Sequence, residues 1–333
     1  MIAVAVPGRA RLDRRLCVAP MMEWTDRHCR YLLRLIAPGA LLYTEMVVAA
    51  AIEHGDVDRL LAFDPRERPL ALQLGGSCPQ QLAMAAAVGE KFGYDEINLN
   101  VGCPSGRVQA GRFGACLMRE PQLVADCVTA MREAVSLPVT VKTRIGVDDD
   151  DSPEFLLQFA AAVTGAGCDA LIVHARKALL EGLSPKENRE VPPLNYPVVS
   201  WLQQQLDEAV PIIVNGGVRD AQQFGTMVQE FTGVMIGRAA YQSPMVLNKM
   251  QRMVDPVAAE ITRQQVITAY LPYISAQLER GVRLHSMTRH MLGIYQGQPG
   301  ARQWRRRLSQ AAGSADASAA IVRAAMDSMP QAV

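Results

Sequence analysis

Four short apolar segments in the middle of the chain decide the fold: PVTVKTR (138–144), ALIVHAR (170–176), PIIVNGG (211–217) and GVMIGRA (233–239). Within LIVHA and IIVNG, apolar residues follow one another instead of alternating with polar ones. This pattern is typical of strands that are buried on both faces. Between the segments lie helix-like stretches at 153–166, 197–208 and 220–229. Strands that alternate with helices in this way predict a parallel sheet.

The same alternation continues towards the N-terminus. Four more strand-like segments are LCVAP (16–20), LLYTEM (41–46), LALQLGG (70–76) and EINLNVG (96–102), and the helix-like stretches are 26–36, 79–92 and 121–135. Ser152 and Asp220 are predicted N-caps, Pro153 fits the first helical position, and Gly167 fits a C-cap. Eight units over about 225 residues predict a (β/α)8 TIM barrel. A doubly wound open sheet is the alternative, but no G-x-G-x-x-G follows the first strand.

After Pro256 the pattern contains helices only. The candidates are 262–280, 283–296, 299–311 and 315–328, with Thr262 as a cap of the first and Gly281 at its end. This predicts a small all-α helical bundle behind the barrel. The predicted organisation is a flexible arm over 1–15, a barrel over 16–250 and a helical domain over 257–333.

The charge of the chain is divided unevenly. The 333 residues are 49% hydrophobic and 20% charged, which excludes disorder, collagen and coiled coil as the overall state. No apolar run reaches about 18 residues, so a membrane protein is not expected. The net charge is only +1, but nine arginines and four acidic residues give residues 257–333 a charge of +5. A basic C-terminal module is therefore attached to a mildly acidic body.

The seven cysteines show no C-x-x-C spacing, and their number is odd. Scattered thiols of this kind predict a reducing cytosol instead of a disulfide framework or a zinc site. The N-terminal stretch MIAVAVPGRARLDRR has a short apolar run followed by charges, the reverse of a signal peptide. We therefore expect a cytoplasmic protein.

Polar residues end nearly every predicted strand. They are Glu45, Gln73, Asn98, Asn100, Lys142, Arg144, His174, Arg176, Asn215 and Arg238, joined by Pro20, Met21 and Met22 after the first strand. In a TIM barrel the active site lies at these carboxyl ends. The glycine-rich ends Asn215-Gly216-Gly217 and Gly237-Arg238 predict a phosphate site, where backbone amides approach an anion closely. Plain turn glycines are the alternative.

A phosphate site with inward lysine, histidine and glutamine suits flavin mononucleotide, FMN. Lys142 would lie near the pyrimidine end of the flavin and stabilise negative charge there. Gln73 offers a donor and an acceptor to the ring edge. His174 would reach the phosphate, although a core histidine with a satisfied partner is the alternative.

Cys103 differs from the other six cysteines because it follows a strand, in the sequence N-V-G-C-P. The others are predicted to be small buried hydrophobic residues. A cysteine thiol is mostly protonated at neutral pH, so it can donate a proton. No histidine is adjacent in sequence, and a papain-like role is not indicated.

Nine of these motifs together carry a resemblance. They are APMMEWTDRHCR (19–30), LQLGG (72–76), INLNVGCPS (97–105), VKTRIG (141–146), HARK (174–177), LSPKENREVPPL (183–194), NGG (215–217), GRAAY (237–241) and GARQWRRRLS (300–309). Each is weak alone, but their order and spacing are specific. From about Leu16 to Ser309 the chain resembles the tRNA-dihydrouridine synthases. LSPKENREVPPL and GARQWRRRLS point to the A subfamily, named tRNA-dihydrouridine(20/20a) synthases.

The resemblance implies a reaction. NADPH would reduce FMN, hydride would pass to C6 of a uracil in the tRNA D-loop, and Cys103 would protonate C5. The implied FMN-binding residues are Pro20, Met21, Met22, Gln73, Lys142, His174, Asn215, Gly216, Gly217, Gly237 and Arg238. Asn100 would contact the uridine, at tRNA positions 20 and 20a. Lys186, Arg189, Arg302 and Arg305 would contact tRNA elsewhere. The implied state is a monomer bound to tRNA, without a structural metal.

Other residues receive weaker expectations. Arg302, Arg305 and Arg306 share one helix face, which suits phosphate, and Trp304 is expected to anchor the bundle. Leu179, Gly106 and Ala110 depart from the family pattern, which puts only loop details in doubt. The acidic run 148–151 fits a solvated loop better than a metal site. His28, His54, His285 and His290 receive no role.

Two other functions stay open at this point. A related barrel could reduce a free pyrimidine, as dihydroorotate dehydrogenases do, or the chain could bind tRNA without catalysis. The basic C-terminal module argues against the first, because an enzyme for a small molecule does not need it. Flavin binding and a loss of activity in Cys103→Ala would distinguish an enzyme from a chain that only binds tRNA.

Overall fold

The structure, a computed structural model, describes residues 12–206, 208, 210–311 and 318–330. Most of the predicted N-terminal arm (1–11) lies outside these residues, as do 312–317 of the helical region and the last three residues. Within the described residues, no helix is both long and apolar enough to cross a lipid bilayer.

The strands form a closed parallel barrel, which confirms the predicted fold class. Their bounds are β1 Leu16–Val18, β2 Leu41–Tyr43, β3 Val47–Val48, β4 Leu70–Gly75, β5 Glu96–Val101, β6 Val139–Arg144, β7 Leu171–His174, β8 Ile212–Asn215 and β9 Gly233–Ile236. Neighbours follow chain order, and β9 closes the ring by pairing with β1. The strand β3 was not predicted; it pairs with β4 beside the ring, because β2 itself bonds to β4.

Helices surround the barrel and then continue without strands. Their bounds are α1 Arg27–Ile36, α2 Ala49–His54, α3 Val57–Leu61, α4 Pro79–Phe92, α5 Gly106–Ala110, α6 Pro121–Ala134, α7 Pro153–Gly165, α8 Tyr196–Gln205, α9 Ala221–Glu230, α10 Arg238–Gln242, α11 Val246–Val254, α12 Arg263–Glu279, α13 Leu284–Thr288, α14 Ala301–Ala311 and α15 Ala319–Asp327. Helix α11 runs past residue 250, the predicted end of the barrel. The domain limits therefore stay a prediction.

The predicted helix caps are present. Ser152 accepts a hydrogen bond from the backbone of Phe155, and Asp220 accepts one from Gln223. Thr262 and Gln265 form a reciprocal capping box at the start of α12. Gly167 follows the last residues of α7 with a φ of +89°, a conformation that favours glycine.

Several predicted elements are longer than the observed ones, among them the strands predicted over 41–46, 170–176 and 211–217, which end at Tyr43, His174 and Asn215. The helix predicted over 283–296 is only α13 followed by a 3-10 turn at Arg289–Met291. At Gly293 the chain packs against the barrel so closely that a Cβ would lie 2.6 Å from the carbonyl oxygen of Gln242. The strand predicted over 233–239 ends at Ile236, and Arg238 begins α10.

The inside of the barrel is filled with side chains. Cys17, Leu41, Tyr43, Ile172 and Met235 belong to one buried cluster there. A larger cluster lies between the strands and the surrounding helices and continues into α12–α15. Because the interior is closed by packing, chemistry is left to the carboxyl ends of the strands.

Aromatic rings join α12 to the barrel helix α1. The rings of Tyr31 and Tyr273 stack with centroids 4.0 Å apart, and Tyr270 stacks on Tyr273 at 5.2 Å. The Tyr273 hydroxyl lies 2.7 Å from Nδ1 of His28. Burial lowers the pKa of His28 to about 4, so its imidazole is neutral at pH 7 and can share a hydrogen bond with the phenol.

We expect Tyr273→Phe to lower the free energy of unfolding by about 2 kcal/mol, because it leaves a buried imidazole nitrogen without its partner. Urea denaturation measures the change. Tyr295→Phe is the control, since this tyrosine is also buried and its hydroxyl makes no hydrogen bond to any described residue. Equal losses in the two variants would show that the contact to His28 contributes nothing.

Candidate active site

Lys142 and Asn215 meet at the carboxyl end of the barrel. Strands β6 and β8 place Nζ of Lys142 3.1 Å from Oδ1 of Asn215, and Nδ2 of Asn215 donates to the carbonyl of Met235 at 2.7 Å. Burial and, to a smaller extent, the nearby charge of Arg144 together lower the pKa of Lys142 to about 7. The amine can therefore change its charge near neutral pH, and an anionic ligand would favour its charged form.

Gly216 and Gly217 shape a narrow turn after β8. Their φ angles are +111° and +78°. A Cβ at Gly216 would lie 3.0 Å from Nε2 of His174, and one at Gly217 would lie 2.4 Å from the hydroxyl of Tyr196. That hydroxyl donates to the carbonyl of Gly216 at 2.6 Å. Only glycine fits both positions, so the predicted close approach of the backbone is present.

His174 ends β7 beside this turn. It is buried, and its Nδ1 has no hydrogen-bond partner among the described residues. Burial lowers its pKa well below the usual value, and the positive charges of Arg144, Lys142 and Arg176 lower it further. Buried polar atoms without partners are rare, so this nitrogen is available for a ligand. The alternative of a satisfied core histidine does not describe it.

Arg238 takes a different position from the one its strand assignment implied. At the start of α10, its guanidinium pairs with the carboxylate of Glu190 and donates to the carbonyl of Arg189 at 3.2 Å. A Cβ at Gly237 would have no atom within 4 Å, so nothing in the chain itself requires glycine there. Arg238 thus connects the glycine-rich end of the barrel to the loop that carries Lys186 and Arg189.

The segment Pro20–Met22 forms a turn after β1. The backbone N–H of Met21 donates to the hydroxyl of Thr25 at 2.9 Å, and the carbonyl of Met21 accepts from the backbone N–H groups of Trp24 and Thr25. The side chain of Met22 is 59% exposed. The turn therefore places backbone groups at the rim, beside the last strand β9.

The Cys103 loop is held from several sides. Oδ1 of Asn100 accepts from the backbone N–H groups of Gly102 and Cys103 at 3.1 and 3.0 Å. Nε of Arg144 donates to the carbonyl of Gly102 at 2.8 Å. The Sγ atom is partly exposed and lies 3.6 Å from Oγ of Ser105, which caps α5. The loop thus presents the thiol at the rim on a fixed backbone.

Asn100 joins the loop to Gln73. Its Nδ2 donates to Oε1 of Gln73 at 2.8 Å, while Nε2 of Gln73 donates to Oδ1 of Asn98 at 2.8 Å. Four of the predicted rim residues, Gln73, Asn98, Asn100 and Cys103, are therefore in one hydrogen-bonded group. Sequence reasoning missed Glu96 and Thr140, which continue this group into the barrel. The alternating letters E-I-N-L-N in β5 are the signal that would have found Glu96.

The predicted tRNA contacts lie on two exposed surfaces. Lys186 and Arg189 are on the loop after β7, and Arg302 and Arg305 are on α14 beside the exposed Arg306. Trp304 is buried, and its Nε1 donates to the carbonyl of Met291 at 2.8 Å, which confirms it as an anchor of the helices. In the described part of the chain, no hydrogen bond joins Arg302 or Arg305 to the rim residues.

Aspartates of the acidic run 148–151 form ion pairs with neighbouring basic side chains. Arg119 pairs with Asp148 and Asp150, and Lys177 pairs with Asp151. Among the residues that the structure describes, no group of three histidine, cysteine or acidic side chains is placed to hold a metal ion.

His290 makes a contact with Asp26 that was not predicted from the sequence. Its Nε2 lies 3.0 Å from a carboxylate oxygen of Asp26, which also pairs with Arg289 at 2.6 Å. Asp26 caps α1, so this pair connects the C-terminal helices to the segment that follows β1.

A family model and several curated proteins are similar to this chain over most of its length. The family model described as "Dihydrouridine synthase (Dus)" matches residues 17–329. Among curated relatives, the tRNA-dihydrouridine(20/20a) synthase of Vibrio parahaemolyticus is 54% identical over 95% of this chain and 97% of its own length. The synthases of the same name from Xanthomonas campestris and Escherichia coli are 56% and 55% identical, over 90% and 91% of this chain and 88% of each relative.

Among solved structures, a 2-naphthoyl-CoA reductase in complex with 2-naphthoyl-CoA aligns with a TM-score of 0.55 at 10% identity. The match covers 73% of this chain and 50% of the reductase, and it supports the fold alone. The family match covers nearly the whole chain, and the residues that carry it meet at the carboxyl ends of one barrel. The chain therefore belongs to the dihydrouridine synthase family.

Proposed function

We propose that this chain reduces the uridines at positions 20 and 20a of tRNA to 5,6-dihydrouridine, with bound FMN and with NADPH as the reductant. The family is flavin-dependent, and the relatives carry the name of this activity. The observation that carries the proposal is the carboxamide of Asn100, which hydrogen-bonds both to Gln73 and to the Cys103 loop. Gln73 on β4, assigned to the flavin, and Cys103 after β5, assigned to proton donation, are thereby linked through one side chain.

The rim fits FMN. The unpartnered Nδ1 of His174 and the narrow turn at Gly216 and Gly217 offer polar atoms to a phosphate. Arg144 and Arg176 add positive charge around that corner, and Lys142 and Gln73 would offer a cation and an amide to a flavin ring bound at the same rim. FMN, when bound and reduced by NADPH, would supply the hydride for C6 of the uracil.

The residues of the chain would supply the remaining steps. Asn100 would orient the uracil beside the loop, and the thiol of Cys103 would donate its proton to C5. Lys142, held by Asn215, would stabilise negative charge at the ring edge. Pro20, Met21 and Met22, with Gly237 and Arg238, would complete the cofactor site, Arg238 after release from Glu190.

Arg302 and Arg305, with Lys186 and Arg189, would bind the tRNA backbone. A uridine must leave its stack to reach the rim, at a cost of a few kcal/mol. Phosphate contacts on the exposed face of α14 would offset that cost. The proposed unit is one chain on one tRNA.

Replacing both Arg302 and Arg305 with alanine is expected to weaken tRNA binding and to reduce the slope of log K against log salt by about 2, because each phosphate contact releases about one counterion. The control Arg280→Ala/Arg323→Ala removes two other exposed charges of the same region. Filter binding between low and moderate salt measures both. An equal slope in the two double variants would contradict a specific phosphate contact on α14.

Mapping dihydrouridine in tRNA tests the function directly. Cells that lack this protein should lose the modification at positions 20 and 20a, and complementation should restore it. The purified protein should be yellow and should reduce tRNA and not free uracil or orotate. A protein that binds no FMN would contradict the enzyme proposal, and reduction of a free pyrimidine would favour the small-molecule alternative.

A further inference from the structure

A chain of polar side chains runs through the apolar interior of the barrel. We call it the interior column; its members are Arg14, Tyr43, Gln73, Glu96, Asn98, Asn100 and Thr140. Glu96, Asn98 and Asn100 alternate on β5 and so face the same side, while Ile97 and Leu99 face the surrounding helices. The column connects the amino end of the barrel to the rim.

Glu96 lies at the amino end of this column and accepts every hydrogen bond that it makes. Its carboxylate receives Nε and Nη2 of Arg14 at 2.9 and 2.6 Å. The hydroxyls of Tyr43 and Thr140 each lie 2.7 Å from its other oxygen. A carboxylate paired with a guanidinium has no proton to give, so both hydroxyls must donate to it.

The direction of each further hydrogen bond follows from this one. The hydroxyl of Thr140 has a single hydrogen, so its oxygen must accept from Asn98, whose Nδ2 lies 2.9 Å away. Oδ1 of Asn98 then faces Gln73 and accepts from its Nε2 at 2.8 Å. Reversing either carboxamide would place two donors or two acceptors against each other.

The same direction continues to the Cys103 loop. Oε1 of Gln73 accepts from Nδ2 of Asn100 at 2.8 Å, which leaves Oδ1 of Asn100 for the backbone N–H groups of Gly102 and Cys103. Each bond in the column therefore has one allowed direction. An amide side chain alone could turn over at little cost, but one in a satisfied chain cannot.

Burial raises the cost of reversing any hydrogen bond in the column. Glu96, Asn98 and Thr140 are fully buried, and Gln73 is 1% exposed. Mispaired donors and acceptors are expensive in such an environment, because water does not replace the lost partner. The orientation of Gln73 is therefore held from both ends: by Glu96 through Thr140 and Asn98, and by the Cys103 loop through Asn100.

We propose that Glu96, acting through Thr140 and Asn98, is a positioning residue that, together with the anchor at Asn100, sets which way Gln73 presents its amide to the flavin. The inference rests on the proposed function, because it takes FMN to lie at this rim. After its bonds within the column, Gln73 keeps one N–H hydrogen and one oxygen lone pair. The pyrimidine edge of a flavin alternates carbonyl acceptors with an N–H donor, so a reversed Gln73 would oppose like groups.

Thr140→Val removes the hydroxyl that links Glu96 to Asn98, because valine has nearly the shape of threonine but no hydroxyl. Thr140 is not one of the residues proposed to bind the flavin. We expect the full-length protein, freed of flavin and titrated with FMN, to bind about 10-fold more weakly in this variant. Thr140→Ser keeps the hydroxyl and should stay within about 2-fold of the unchanged protein. If Thr140→Val does not fold, Thr140→Ala makes the same loss with a smaller side chain.

Two control variants distinguish the loss of hydrogen-bond direction in the column from a non-specific effect of substitution inside the barrel. Thr143→Val makes the same chemical change on the same strand, but Thr143 lies outside the column, 3.4 Å from the carbonyl of Val101. Tyr43→Phe removes a bond to Glu96 but leaves Arg14 and Thr140 in place to set the direction. Both should bind FMN within about 2-fold of the unchanged protein, although Tyr43→Phe should be less stable.

A double-mutant cycle with Gln73→Leu decides whether Thr140 acts through Gln73. In that background Thr140→Val should no longer change the FMN dissociation constant, because the group that it orients is gone. A 10-fold effect that persists would overturn the inference, as would equal binding by Thr140→Val and Thr140→Ser. A failure of the unchanged protein to bind FMN would instead overturn the proposed function, and the inference with it.

Discussion

Replacing Cys103 with alanine is expected to slow dihydrouridine formation by about 10²- to 10⁴-fold, the range that a positioned general acid contributes. The thiol is partly exposed at the rim, and the backbone around it is fixed by Asn100 and Arg144. Without it, C5 of the uracil has no proton donor at that position. Single-turnover reduction of unmodified tRNA measures the rate of this step.

The matched control is Cys116→Ala. Cys116 is also partly exposed and lies 13 positions further along the chain, but its Sγ atom donates to the carbonyl of Phe113. Burial raises the pKa of its thiol, and no proposed step uses it. Its variant should retain the full rate. Cys103→Ala should keep its flavin and its tRNA affinity, so that the loss is confined to chemistry. A rate within about 3-fold of the unchanged protein would contradict the assignment of Cys103 as the acid.

The second large effect concerns the pH dependence of FMN binding. The pKa of Lys142 is lowered to about 7 by burial, so in the flavin-free protein the amine loses its proton as pH rises through 7. An anionic ligand favours the charged amine, and binding above pH 7 therefore takes up a proton. Affinity for FMN should fall by up to about 10-fold for each pH unit above 7, until the amine of the complex titrates.

Titrations of FMN between pH 7 and pH 9 measure this dependence. Lys142→Met removes the titrating group, so its affinity should be lower at pH 7 and nearly constant over the same range. A dependence that survives in Lys142→Met would assign the proton to another group. In the flavin-free chain, the pH dependence of stability has the opposite sign to the pH dependence of FMN affinity. An unfolded lysine keeps its proton up to about 10.5, so this group makes the free energy of unfolding rise between pH 7 and 10.5.

The barrel could be predicted because its strands are continuous apolar runs separated by helices with clear caps. The segments around Ile172 and Ile213 need no tertiary information to be recognised as buried strands. The region 283–296 could not be predicted in the same way. Its helical pattern is interrupted where Gly293 packs against the carbonyl of Gln242, a contact that depends on how the helices lie on the barrel.

The rim of the site was predictable for a related reason. The carboxyl ends of parallel strands must meet, so Gln73, Lys142, His174 and Asn215 were expected together. The partners of these residues were not. Thr140 is an unremarkable strand residue in sequence, and its place between Glu96 and Asn98 follows from the register of β5 and β6. The pairing of Arg238 with Glu190 depends in turn on the path of a loop.

The tyrosine contacts between α1 and α12 bear on how this protein could be divided. Tyr31 and His28 lie on α1, only a few residues beyond the turn Pro20–Met22 at the rim. The larger hydrophobic cluster extends from the barrel into α12–α15 without a break in the described residues. Cutting the chain near residue 256 would expose that cluster and release the segment that shapes the rim. The helical region is therefore a structural support of the barrel, and exchanging it between relatives would require exchanging the face of α1 as well.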